Sequence, residues 1–143
     1  MAAPELSKYR TFLESTLYPR RDELMQILHL KKEEHAEYVL FLSIVDEHGA
    51  FEKMDYHTVL DIGKDVWMQS RARAEDIREC IFIHTGLGFH LPLPLTEAVG
   101  IAQARMALLS RRMELLNAEL VQVEADVEEA RGLLGELANV LAE

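Results

Sequence analysis

Residues 99–141, VGIAQARMALLSRRMELLNAELVQVEADVEEARGLLGELANVL, decide the fold. Stepping from Val99 by threes and fours in turn lands on Ala102, Met106, Leu109, Met113, Leu116, Leu120, Val123, Val127, Ala130, Leu134, Leu137 and Leu141, all apolar. A period of about 3.5 residues kept over about six heptads is the a/d seam of a helix that supercoils against another helix. Thr96 stands where it can cap the N-terminus, and Glu97 where the helix dipole favours an acid.

The first third of the chain repeats the pattern less cleanly. Leu17, Arg21, Leu24, Leu28, Lys31, His35, Tyr38, Leu42 and Val45 keep the same phase, with polar residues at 21, 31 and 35. Leu6, Tyr9 and Leu13 carry the apolar face upstream, and Pro19 demands a kink or a first helical turn. Gly49 offers a C-terminal stop. The spacing therefore predicts one helix over 5–48 and another over 96–142. Their similar lengths predict an antiparallel two-helix coiled coil.

Residues 50–95 change character. His57–Ile62 and Asp65–Met68 read as strands around a turn at Gly63-Lys64. Glu79–His84 and Gly88–Leu91 read as two more around Gly86, and the charged stretch Ser70–Asp76 between the pairs reads as a loop or a helical turn. Pro92 and Pro94 end the last strand ahead of the second helix. The fold class is α+β, a single domain over 1–143 with two small β-hairpins between long helices. Such hairpins cannot build a core of their own, so the chain is expected to complete its sheet with neighbouring subunits.

Charge narrows the function. Twenty-five acids against fifteen bases leave a net charge of -10. That surface repels a phosphate backbone, so no direct nucleic-acid partner is expected. Residues 113–143 hold eight acids and Arg131 as their one base, which is -7 of the -10. No apolar run reaches the ~20 residues that span a bilayer, so no membrane partner is expected. The opening Met1-Ala2-Ala3-Pro4-Glu5 lacks the pattern of a secretory signal. A lone Cys80 suits a reducing compartment, so a cytoplasmic or nuclear location is expected.

Catalytic, metal and cofactor sites are not expected. The six histidines form no His-x-x-x-His pair or other zinc spacing. Cys80 lies among Ile81, Phe82 and Ile83, with no basic neighbour spaced to lower its pKa. Gly86-Leu87-Gly88 lacks the third glycine and the strand–helix setting of a phosphate loop. Glycines that let a strand bend account for it.

The chain has more apolar surface than a two-helix seam consumes. Leu6, Tyr9, Phe12 and Leu13 near one free end, and Leu134, Leu137, Val140 and Leu141 near the other, would meet at one tip. Gly132 and Gly135 weaken the helix there by about 1 kcal/mol each. Either this tip holds extended client chains, or the seam packs closed to its end. Val66, Trp67, Ile81, Phe82, Ile83, Phe89 and Leu91 are the expected subunit interface.

The order helix, two hairpins, helix is similar to that of the α-type prefoldin subunits. Leu60-Asp61-Ile62-Gly63, Cys80-Ile81-Phe82-Ile83 and Gly86-Leu87-Gly88-Phe89-His90-Leu91, followed by Leu95-Thr96-Glu97-Ala98, resemble that family's β region and helix restart. Lys8-Tyr9-Arg10-Thr11-Phe12-Leu13 resembles the opening of its prefoldin-like members. Pro92 and Pro94 depart from the acidic residue and Ser/Thr usual there. The resemblance implies a hetero-hexamer with β-type and other prefoldin-like subunits, whose hairpins merge into a β-barrel carrying coiled-coil tentacles. It implies an ATP-independent cochaperone that holds unfolded or unassembled clients and works with a chaperonin or an AAA-ATPase cochaperone. For some prefoldin-like members it implies a transcription role, so a scaffold that binds dedicated partners and holds no clients stays open.

Overall fold

In the computed structural model, which describes residues 2–47, 55–79 and 81–142, helix and strand alternate in the expected order. The elements are α1 (Ala2–Phe12), a π-helical turn (Leu13–Leu17), α2 (Tyr18–Glu47), β1 (Asp55–Asp61), β2 (Trp67–Arg73), α3 (Ala74–Glu79), β3 (Ile81–Gly86), β4 (Phe89–Leu93) and α4 (Leu95–Ala142). The protein is mostly helical, with long helices and two small antiparallel hairpins, and is compatible with the α+β class. The stop expected at Gly49 and the surroundings of Cys80 lie outside the described residues. Two compact units make up the chain: Met1–Glu34 with Leu108–Glu143, and His35–Ala107.

The first unit is all helix. Leu24 and Leu28 pack with Leu116 and Val123, joined by Ile27, Met113 and Leu120. Leu13 and Leu17 pack with Val127 and Ala130, joined by Tyr18 and Leu134. Residue numbers rise on one side of these clusters as they fall on the other, so the helices run antiparallel here. Each buried leucine contributes about 1.5–3 kcal/mol by leaving water. An Arg20–Glu119 ion pair bridges the same two helices. Tyr18 receives a hydrogen bond from Arg131 Nε at 3.2 Å, and the Arg21 guanidinium lies 5.2 Å from its ring centroid.

Pro19 accounts for the π turn. Its ring has no N–H to give the carbonyl of Ser15 and collides with that carbonyl in a regular α-helix. The chain widens instead, and the Tyr18 N–H reaches back to the Leu13 carbonyl, a five-residue closure. The side chains of Thr11 and Ser15 bond to the carbonyls of Ser7 and Thr11, a local arrangement that favours bending. Helix therefore continues through Pro19 with a wider turn in place of a break.

The described seam positions of α4, Val99 through Leu137, are all buried or half-buried. So are those of α2, including the polar Arg21, Lys31 and His35. Long stems let Arg21 and Lys31 cover apolar neighbours while their charged heads stay wet. Lys31 Nζ meets Glu34 at 3.1 Å. α4 begins one residue earlier than expected, at Leu95, and the Ala98 N–H closes its first turn on the Pro94 carbonyl at 2.9 Å. Thr96 is thus inside the helix and does not cap it. Pro94, with no N–H to leave orphaned, already supplies the first carbonyl.

In the second unit, Val45, Leu95, Ala98 and Ala102 are buried. β1 pairs with β2 from Asp55↔Arg73 to Asp61↔Trp67, and β3 with β4 from Ile81↔Leu93 to Gly86↔Phe89. Among the described residues each sheet has two strands, so every strand keeps one open edge. Of the stretch Ser70–Asp76, residues 70–73 are strand in place of a loop, since β2 runs on to Arg73, and 74–76 open a helical turn, α3. Small Ser70 and Ala72 sit opposite Thr58 and Tyr56, so cross-strand pairing outweighs the charge that suggested a loop.

The turns differ in build. In the first, the Asp61 carboxylate accepts the Gly63 N–H at 2.8 Å, and Ile62 N–H reaches Val66 O at 3.0 Å. Gly63, Lys64 and Asp65 all have positive φ. In the second, Leu87 (φ 52) and Gly88 (φ 81) occupy the two central positions, so the turn centres there and not on Gly86, which belongs to β3. A two-residue hairpin with positive φ at both positions normally takes Asn-Gly or Asp-Gly.

Candidate functional site

Exposed apolar side chains lie on both the hairpins and the helices. On β3 and β4 the pleat separates two faces. Ile81, Ile83 and Leu93 are half-buried with Leu91 beside them, while Phe82, Pro92, His84 and His90 form the opposite, exposed face. Phe82 is 66% exposed and Phe89 70%. Leu87, at the tip of the turn, is 97% exposed. On β1 and β2, Val66 and Trp67 are more than half exposed, and Val59, Leu60, Ile62 and Met68 stand open beside them. All seven residues expected at a subunit interface thus lie on the hairpins or their turns, and Val66, Trp67, Phe82, Phe89 and Leu91 are uncovered in the single chain.

The spacing rules could not find Leu87. Its signal is a conflict: a leucine in a left-handed conformation is strained by about 1–2 kcal/mol, and its side chain gains no packing in return. A fully exposed leucine at a strained turn fits a contact made elsewhere.

Polar structure steadies the first hairpin. Arg71 binds the Asp55 carboxylate through Nε at 2.8 Å and through Nη2, a two-pronged pair across the strands. The hydrogen bonds from Arg71 hold the Asp55 pKa below its ordinary value, and the same pair raises that of Arg71. Likewise Glu119, then Glu23, raise the pKa of Arg20 in the helical unit.

The helical tip residues divide. Leu13 is 3% exposed, and Leu134 packs against its cluster. Leu6 and Leu137 are half-buried, whereas Tyr9, Phe12, Leu133 and Val140 are exposed. The side chain of Leu141 lies outside the described residues. The seam therefore closes over Leu13, and the apolar surface left open comes from its flanks.

Among the described residues, no three His, Cys, Asp or Glu side chains gather into a metal-binding group. His84 and His90 face each other across β3 and β4 with ring centroids 5.1 Å apart, half of a tetrahedral zinc ligand set. A wide-open hollow of about 400 Å³ beside α3, lined by Glu75, Arg78, Glu79 and Pro94, has no buried nucleophile or base. No helix among the described residues is long and apolar enough to cross a membrane. No protein-family model matches the chain, and no curated protein matches it significantly.

Proposed function

We propose that the protein is a subunit of a prefoldin-like hetero-oligomeric cochaperone. In this reading its helices pair as an antiparallel coiled coil, and its hairpins join those of β-type and other prefoldin-like subunits in a continuous sheet. The observation that carries the reading is the pair of two-stranded sheets with open edges and exposed Trp67, Phe82, Leu87 and Phe89. A lone hairpin is marginal in water, and open edges invite pairing with another chain. Neighbouring strands would satisfy the backbone and cover the aromatics together.

Holding of unfolded or unassembled clients, without ATP, falls to Tyr9, Phe12, Leu133 and Val140. Exposed apolar groups rimmed by acids bind loosely and without sequence demands, which suits a carrier that hands its load to a chaperonin or an AAA-ATPase cochaperone. The test is suppression of client aggregation by the assembled complex with Phe12→Glu and Val140→Glu. Loss of suppression with assembly intact supports the reading, and undiminished suppression contradicts client holding. A second reading, a scaffold that binds dedicated partners, is favoured by the packing of Leu13 and Leu17 against Val127, Ala130 and Leu134. Undiminished suppression would turn the assignment to that scaffold.

A further inference from the structure

α4 carries a second apolar stripe that its packing does not use. Leu108 (57% exposed) and Leu115 (64%) stand one heptad apart, with exposed Ala118 and Val121 beside the second of them. At about 100° per residue Leu108 and Leu115 lie about 100° round the helix from buried Leu109 and Leu116, and Ala118 and Val121 roughly 150° round from Leu116. A helix whose apolar arc is wider than the seam it buries has room for a second neighbour. Leu108, Leu115 and Val121 all belong to the helical unit.

Charge says what would cover it. Arg111 and Arg112 project between the two leucines, are exposed, and make no ion pair among the described residues. From Ala98 to Met113 the chain holds arginines and no acid, within a molecule of net charge -10. Glu114, on the far edge of the stripe, is the nearest acid along the helix after them. A second copy of this chain fits poorly. A twofold axis midway between Leu108 and Leu115 passes through Arg111 and Arg112, so four guanidinium groups would crowd together.

We infer that this outer face of α4 docks an acidic amphipathic helix from another protein. Its apolar anchors would repeat every seven residues to meet Leu108 and Leu115, with Glu or Asp between them against Arg111 and Arg112. Burial of the two leucines supplies affinity, and the arginines select the partner by sign and set the register.

The test uses the full chain and a labelled, designed 21-residue helical peptide with leucines at a and d and glutamates at e and g. The expected result is saturable binding, at least about tenfold tighter than for the same peptide with lysines in place of glutamates. Raising salt from about 0.05 to about 0.5 M should erase most of that preference. Leu108→Gln with Leu115→Gln should weaken binding at least about tenfold with helicity unchanged by circular dichroism. Arg111→Glu with Arg112→Glu should reverse the preference in favour of the lysine peptide. Equal affinity for both peptides, or no effect of either double variant, overturns the inference. Self-association by analytical ultracentrifugation that the leucine variant abolishes also overturns it, in favour of a second copy.

Discussion

The helical unit and the hairpins have similar apolar wealth and spend it in opposite ways. Leu13, Leu17, Leu24 and Leu28 each find a neighbour across the helix pair and leave water almost completely. Trp67, Phe82 and Phe89, larger side chains, stay more than half exposed. The contrast is one of geometry. A helix satisfies its own backbone and needs only one partner stripe, whereas a hairpin leaves half its backbone groups at open edges and one face uncovered. The helices therefore close within one chain, and the hairpins stay open.

The comparison can be broken most forcefully in the helices. Leu24→Ala should cost about 2–5 kcal/mol, because the cavity opens between Leu28, Leu116 and Val123. Thermal unfolding followed by circular dichroism measures it, and a loss below about 0.5 kcal/mol would mean that the seam does not carry the fold. Phe82→Glu should behave in the opposite manner. In the lone chain it should change stability by no more than about 0.5 kcal/mol, since the side chain touches mostly solvent. In cells co-expressing partner subunits it should abolish co-purification.

Smaller effects sharpen the picture. Gly132→Ala and Gly135→Ala meet open space at the new Cβ, so each should stabilise the end of α4 by about 1 kcal/mol. Slower amide exchange over residues 128–140 would register it. Least of all, the Asp55–Arg71 pair should make the first hairpin acid-sensitive. The Asp55 pKa is depressed in the folded chain. The stability it lends is present above the unfolded value of about 3.9 and is lost as pH falls through the lower folded one. NMR of the hairpin amides below about pH 4 should report loosening in the wild type and much less in Asp55→Asn.

What the sequence revealed follows the strength of each physical signal. Thirteen seam positions from Val99 to Leu141 repeat one rule, so no single exception could hide it, and the described ones are all withdrawn from solvent. Hairpin order was legible from Gly63 and Gly86 between β-rich runs, although the second turn centres just after, on Leu87 and Gly88. Strand ends were not, because Ser70 and Ala72 have weak strand preference and are fixed by Thr58 and Tyr56 across the ladder. Pro19 announced a disturbance whose form, a π turn, depends on how the Leu13 carbonyl is reused. The tip was half legible: Tyr9 and Leu13 share one seam phase, yet Leu13 is buried and Tyr9 exposed. Leu87 had no sequence signal, since its role lies in a backbone angle.

Amide hydrogen exchange on the purified chain alone, and again in complex with co-expressed partner subunits, tests the central claim most directly. Residues 55–93 should exchange fast in the lone chain and become strongly protected in the complex, while 17–28 and 116–127 stay protected in both. Hairpin amides as slow in the dilute, solitary chain as in the complex would contradict the account.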